Sequence, residues 1–263
     1  MYSIIISIMI ELDANIDDRR SVETNECEFG RTLNKIKYFV THYTPLIKRK
    51  ENIINQVKSN NITNYDFIEC HDAENLTKQQ MSLFEKSNAG KSEISLFYKH
   101  VEIFRRIANT ADDQIIVVLE DDAILIEEYN SYLELFLENL PESWDILFPG
   151  ECCGVHRRDT KDDLFYPTHI SRGTCMYILN KGVSTKLYNF FLQEKELRYP
   201  IDWWMNHVCK LYDLKYFLTE PTLVIQGSET GVFDSTILHQ DITETLIESY
   251  IHEIKLKESL KNK

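Results

Sequence analysis

The hydrophobic positions of this chain change period several times, and each change marks an element. Residues 1–10 are isoleucine-rich and read as a strand, and 11–31 turn polar and acidic, a lead-in to a domain that starts near Asn34. An apolar block at 36–41 (IKYFVT) reads as that domain's first strand. Thr44 and Pro45 form a helix-start pair, with the threonine as cap and proline at the first position. The helix predicted from there to about Ser59 turns Leu46, Ile53, Ile54 and Val57 inward. A second strand follows at 65–70 (YDFIEC). Strand, helix and strand of this length predict a right-handed βαβ unit with a parallel pair. A short helix is predicted at 75–85 and a long one at 92–109. In the long one Ile94, Phe97, Val101, Phe104 and Ala108 recur at three and four residues, so one face is buried. After a central strand come a helix at 131–140 closed by Pro141, a strand at 144–148, an unpatterned polar loop at 149–167 and a strand at 173–179. A helix at 183–194, a short helix opened by 199–204, strands at 214–219 and 222–225, a loop at 226–237 and a charged helix at 241–263 complete the chain. The alternation predicts an α/β fold of Rossmann-like, nucleotide-binding type with a mostly parallel central sheet. It divides the chain into 1–33, a main domain at 34–240 and the helix at 241–263.

The central strand lies within 114–126 (QIIVVLEDDAILI). Five apolar residues, Ile115 to Leu119, run without a break, as in a strand buried on both faces. They meet Glu120, Asp121 and Asp122, at the strand end where open α/β sheets place their ligands. Adjacent carboxylates repel and raise one another's pKa. A divalent cation relieves that repulsion, and hard oxygen ligands suit Mg²⁺ or Mn²⁺, which draw further ligands from substrate phosphates. The competing explanation of the same residues is a solvated acidic turn.

Composition narrows the field. Charged residues at 27% and hydrophobic residues at 43% describe an ordinary globular chain, 263 residues long and able to bury a sizeable core. A net charge of −13 argues against a general binder of nucleic acid or anionic membrane. It leaves room for a nucleotide held by a metal and a few local cations. Cys27, Cys70, Cys152, Cys153, Cys175 and Cys209 form no C-x-x-C pair, which suits reduced thiols and a cytoplasmic setting. The sequons at Asn61 and Asn75 would matter only in a lumenal one. No stretch is long enough to span a bilayer, and the apolar start lacks the basic leader of a signal peptide.

Five segments, in order, resemble those of glycosyltransferase family 25. VVLEDDAIL at 117–125 is similar to the family's hallmark, its equivalent of a metal-binding D-x-D. EISLFYKHVEIFRRI at 93–107 resembles the preceding helix, with Lys99-His100 where the family usually has Ser-His. GTCMYILNKGVSTKL at 173–187, PID at 200–202 and EPTLVIQGS at 220–228 resemble later segments, so the likeness spans roughly 35–236. The resemblance implies a GT-A fold, a UDP-sugar donor, usually UDP-galactose, Mn²⁺ (or Mg²⁺) and inversion at the anomeric carbon. A leaving diphosphate needs charge neutralisation and an acceptor hydroxyl needs a general base, so the chemistry agrees.

Roles follow from place and resemblance. Glu120 and Asp122 are the metal and donor-ribose candidates, with Asp121 between them. Asp202, carried over from the family, is the first choice for general base, against a plain N-capping role. Glu151, just past the strand at 144–148, is its rival. Arg49, early in the first helix, is placed to reach a phosphate or uracil, unless it is a solvated surface cation. Thr41 and Tyr43 end the first strand, and Asp72 ends the second, where doubly wound folds place ribose or base contacts. Gln226 and His239 are late candidates for metal or phosphate contact. His100 reads as a core histidine, and of the adjacent Trp203 and Trp204 at least one belongs to the core. The leading expectation is a metal-dependent inverting transferase moving galactose or glucose to a hydroxyl on a glycan, a lipid-linked sugar or a protein. The alternatives are a sugar-nucleotide or glycan-binding module of the same fold, and a nucleotidyl- or phosphotransferase.

Overall fold

The computed structural model of the protein describes residues 36–109, 114–151, 163–168 and 170–235. The expected strand at 1–10, the polar lead-in, His239, the helix at 241–263 and the outer domain borders lie outside those residues.

The first βαβ unit is present as expected: β1 (Ile36–Thr41), α1 (Ile47–Ser59) and β2 (Tyr65–Ile68), with the two strands parallel and Thr41 opposite Ile68. The helix starts later than Thr44 and Pro45 suggest. Leu46 stands at its N-cap without a side-chain bond, because the Thr44 hydroxyl is given to Asp72 instead. After β2, His71 takes a left-handed backbone, φ 65°, a conformation that a non-glycine residue adopts only when its surroundings impose it. The expected helix at 75–85 is broken into a 3-10 turn at Ala73–Asn75 and a short α2 (Lys78–Ser82), which opens on a Thr77–Gln80 capping box.

The long α3 (Lys91–Ala108) leads to β3 (Ile115–Glu120). A two-residue turn at Asp121 and Asp122 separates β3 from β4 (Ala123–Leu125). Then follow α4 (Tyr129–Glu138), β5 (Ile146–Phe148), β6 (Gly150–Glu151), β7 (Phe165–Thr168), β8 (Met176–Leu179), α5 (Lys181–Phe191), α6 (Ile201–Leu211), β9 (Tyr216–Thr219) and β10 (Val224–Gln226). β6 and β7 fall inside what the sequence pattern marks as the loop 149–167. They are too short to carry a period of their own, and pairing with the distant β10 and β9 defines them.

The α/β expectation holds, and the main sheet has seven strands in the order β2-β1-β3-β8-β5-β9-β7. It is mixed: β1/β2 and β5/β9 are parallel, while β8 runs antiparallel to both β3 and β5. A second sheet, β4-β10-β6, sits at the end of β3, with Gln226 paired to Ala123. Alternate residues of a strand face opposite ways. Ile116 and Val118 join a cluster with Phe97 and Phe104 of α3, Leu187 of α5 and Trp204 of α6. Val117 and Leu119 are equally buried but outside that cluster, as are Ile53 of α1 and Phe136 of α4. Both faces of the sheet are thus covered by helices, and β3 is buried on each, as its unbroken apolar run predicts. Burying a ring such as Phe97 contributes about 2–3 kcal/mol. This packing fixes the C-terminal ends of β1, β2 and β3, and the polar side chains gather there.

Candidate active site

The turn after β3 holds its three acids in three different ways. Asp121 is 6% exposed and fully engaged by the protein. Its Oδ2 accepts from His42 Nδ1 at 2.8 Å and from the Tyr43 backbone N–H at 3.0 Å, and its Oδ1 accepts from Arg49 Nη1 at 2.9 Å. Burial pushes this carboxyl up, but the bonds from His42 and Arg49 outweigh burial and hold it below the usual range. Arg49 is no surface cation: it is buried, its other Nη bonds the Asp234 carbonyl, and its guanidinium lies 5.6 Å from the Phe233 ring.

Glu120 and Asp122 have no such cation. Burial and the charge of Asp122 raise the Glu120 carboxyl to about 8, against the bond it accepts from the Thr174 hydroxyl. Asp122 is raised too, mainly by burial, although Ser228 hydrogen-bonds it and Arg49 lies 3.8 Å away. Its Oδ1 is buried with no hydrogen-bond partner. Beneath them His100 is fully buried. Its Nδ1 is bonded to the Tyr177 hydroxyl at 2.8 Å, and its Nε2, 3.9 Å from Glu120 Oε1, has no hydrogen-bond partner. Burial lowers the His100 pKa to about 3, so the ring is neutral.

A second ion pair stands at the end of β2. Lys99, on the inward face of α3, donates to Asp72 Oδ1 and to the Cys70 carbonyl, both at 2.7 Å. Burial raises Asp72, and Lys99 with Thr44 more than reverses that. A cleft opens between these groups. Thr41, Tyr43, Arg49, Glu120, Asp121, Asp122 and Gln226 line it, and so do His42, Lys99 and Ser228, which the sequence pattern does not single out. Asp72 is not in the lining and reaches the cleft through Lys99. Gly227 brings the last wall into place. A Cβ there would lie 2.8 Å from the Asp122 carbonyl oxygen and 2.6 Å from the Phe233 ring, so only glycine allows this approach.

Asp202 sits in the first turn of α6, outside that lining. Its Oδ1 accepts from the Trp203 N–H at 2.9 Å and its Oδ2 from the Gly173 N–H at 3.1 Å. Burial raises its pKa, partly offset by Gly173 and by the charge of Arg172. The segment 171–175 connects it to the acids: Ser171 is clamped to Asn206 by two bonds at 2.9 and 2.8 Å, Thr174 holds Glu120, and the Cys175 carbonyl accepts from the Glu120 N–H. Those duties leave only Met176–Leu179 of the expected strand 173–179 in the sheet. Trp204 is core and Trp203 is half-buried. The backbone of Glu151 pairs with Ile225 in the small sheet, and its side chain lies outside the described residues.

The structure thus gathers the sequence-predicted residues around one end of β1–β3, except that Asp202 stands apart in α6, joined to them through 171–175, and that His239 and the Glu151 side chain lie outside the described residues. His42, Lys99, Thr174 and Ser228 were missed. A lysine on the buried face of an amphipathic helix was the signal available for Lys99, since such a charge requires a partner.

Among the described residues no helix is long and apolar enough to cross a membrane. No curated protein matches the chain. The family described as "Glycosyltransferase family 25 (LPS biosynthesis protein)" matches residues 35–205, from β1 into α6 and across the acid turn, the Lys99–His100 helix and Asp202. That match covers well over half of the chain, which therefore belongs to glycosyltransferase family 25 and is a glycosyltransferase.

Proposed function

We propose that this glycosyltransferase moves a hexose, galactose or glucose, from a UDP-sugar to a hydroxyl acceptor, with inversion and with Mn²⁺ or Mg²⁺ bound at Glu120 and Asp122. One observation carries the reading: two buried neighbouring acids at the cleft have no cation in hydrogen-bond contact, Arg49 stopping 3.8 Å short of Asp122, and Asp122 Oδ1 has no hydrogen-bond partner. The third acid, Asp121, is neutralised by Arg49 and His42. Among the described residues no three His, Cys, Asp or Glu side chains form a complete metal site. Two carboxylates with substrate phosphates and water are nevertheless the usual complement for Mg²⁺, and the residues fit. His239 is a further candidate ligand. Bound there, the ion would neutralise charge on the departing diphosphate.

The chain's own residues supply the rest. Thr41, Tyr43, Arg49 and Gln226 contact the donor, while Asp121 and Asp72 hold Arg49 and Lys99 in position. Asp202 takes the proton of the acceptor hydroxyl, a task suited to a carboxylate whose basicity burial raises above its ordinary value. Glu151 is the rival base. The family's association with LPS biosynthesis favours a glycan acceptor. The free thiols of Cys70 and Cys209 favour a reducing, cytoplasmic site of action.

Donor hydrolysis, followed as UDP release with Mn²⁺ and with EDTA, tests the proposal. Chelation and Asp122→Ala are each expected to cost at least about a hundredfold. Equal rates in all samples would overturn it, and release of UMP would assign the enzyme to phosphoryl chemistry.

A further inference from the structure

Among the described residues the buried cations are Arg49, Lys99 and Arg172. Arg49 and Lys99 each donate to a carboxylate and a backbone carbonyl. Arg172 differs. It is 8% exposed, yet its Nε and Nη1 have no hydrogen-bond partner. The nearest acceptor, Asp202 Oδ2, is 3.9 Å from Nε, too far for a hydrogen bond. Both Asp202 oxygens already accept backbone N–H groups, from Trp203 and Gly173. A guanidinium kept only to complete Asp202 would bond it directly. Buried donors left unfilled cost stability, so groups of this kind call for a specific explanation.

The surroundings indicate what fills them. The guanidinium lies 5.0 Å from the Trp203 ring, and Trp203, unlike Trp204, is only half-buried. An aromatic face next to a guanidinium fork suits a sugar ring that carries a carboxylate or a phosphate. The segment is held on both sides of Arg172, by the Asn206 clamp on Ser171 and by the Thr174 bond to Glu120. The fork is therefore preorganised beside the candidate base and separate from the lining of the donor cleft.

We propose that Arg172 and Trp203 form an acceptor subsite for an acidic sugar, binding its carboxylate or phosphate so that a hydroxyl of the same saccharide faces Asp202. The proposal rests on the reading of this chain as a transferase with Asp202 at the acceptor. It adds the charge class of the acceptor.

Binding to the full chain tests it without turnover, by ligand-observed NMR titration with methyl β-glucuronide, glucose 6-phosphate, neutral methyl β-glucoside and UDP. Wild type is expected to bind the better of the two acidic sugars at least about tenfold more tightly than the neutral one, and which acid is preferred identifies the anion. Arg172→Met brings that ratio to about one, Arg172→Lys keeps part of it, and Trp203→Leu weakens all three sugars. A ratio of one in wild type overturns the proposal. So does an Arg172→Met protein that loses UDP affinity instead, since the fork would then belong to the donor. UDP release in a separate assay decides the transferase reading. A chain that turns over donor but shows no preference for acid sinks only the subsite, and an inert chain with a tenfold preference sinks only the transfer.

Discussion

The two sides of this site treat charge differently. On the side of β1 and β2, cations and anions are matched within the protein: Arg49 and His42 close on Asp121, and Lys99 closes on Asp72. In the turn after β3 and along 171–175 the matching is incomplete: Glu120 and Asp122 repel each other, and Arg172 has unfilled donors. Matched buried charges hold shape, since removing one partner leaves the other stranded. Unmatched buried charges are costly to keep, and such costs concentrate where a ligand completes the arrangement.

The contrast can be broken or sharpened experimentally. Asp121→Asn should have the largest effect on stability, about 4 kcal/mol, because it leaves Arg49 and His42 buried without their acid. Denaturant unfolding measures it, and a loss below about 1 kcal/mol would remove Asp121 from the structural side. Lys99→Met should cost about 3 kcal/mol at neutral pH. In the folded wild type Asp72 titrates below its ordinary value of about 4, so the pair's contribution is complete above that pH and is lost as pH falls. The gap between wild type and variant should be widest near pH 7 and shrink toward pH 3, and a gap independent of pH contradicts the pairing. Thr174→Val removes one bond to Glu120 and should cost about 1 kcal/mol. Arg172→Met is the smallest and most discriminating case. It breaks no hydrogen bond in the free protein and loses the 3.9 Å attraction to Asp202, so it should destabilise far less than Arg49→Met, which strips Asp121 of a direct partner. Matched losses for the two arginines would erase the distinction.

What could be read from sequence follows the range of the interactions involved. The apolar face of α3 and the unbroken run of β3 are local patterns, and both elements appear within a residue or two of expectation. β6 and β7 owe their existence to partners about fifty or more residues away, so no local pattern announces them. The acid triplet was visible as a triplet, but its division into one structural member and two unneutralised ones was not. That depends on Arg49 and His42, some seventy residues earlier. Thr44 shows the same limit: it has the chemistry of a cap, and tertiary contact assigns its hydroxyl to Asp72. Arg172 lies within a stretch unremarkable for charge, and only burial without a partner sets it apart.

Gly227 has a consequence that electrostatics does not reveal. The carbonyl of Asp122 and the ring of Phe233 both rest where a side chain at 227 would begin. How closely the 226–228 wall approaches the Asp122 backbone is therefore fixed by the absence of a single methyl group. The same short segment also presents Ser228 to the Asp122 carboxylate, so a side chain added at 227 would move a hydrogen-bond donor along with the wall.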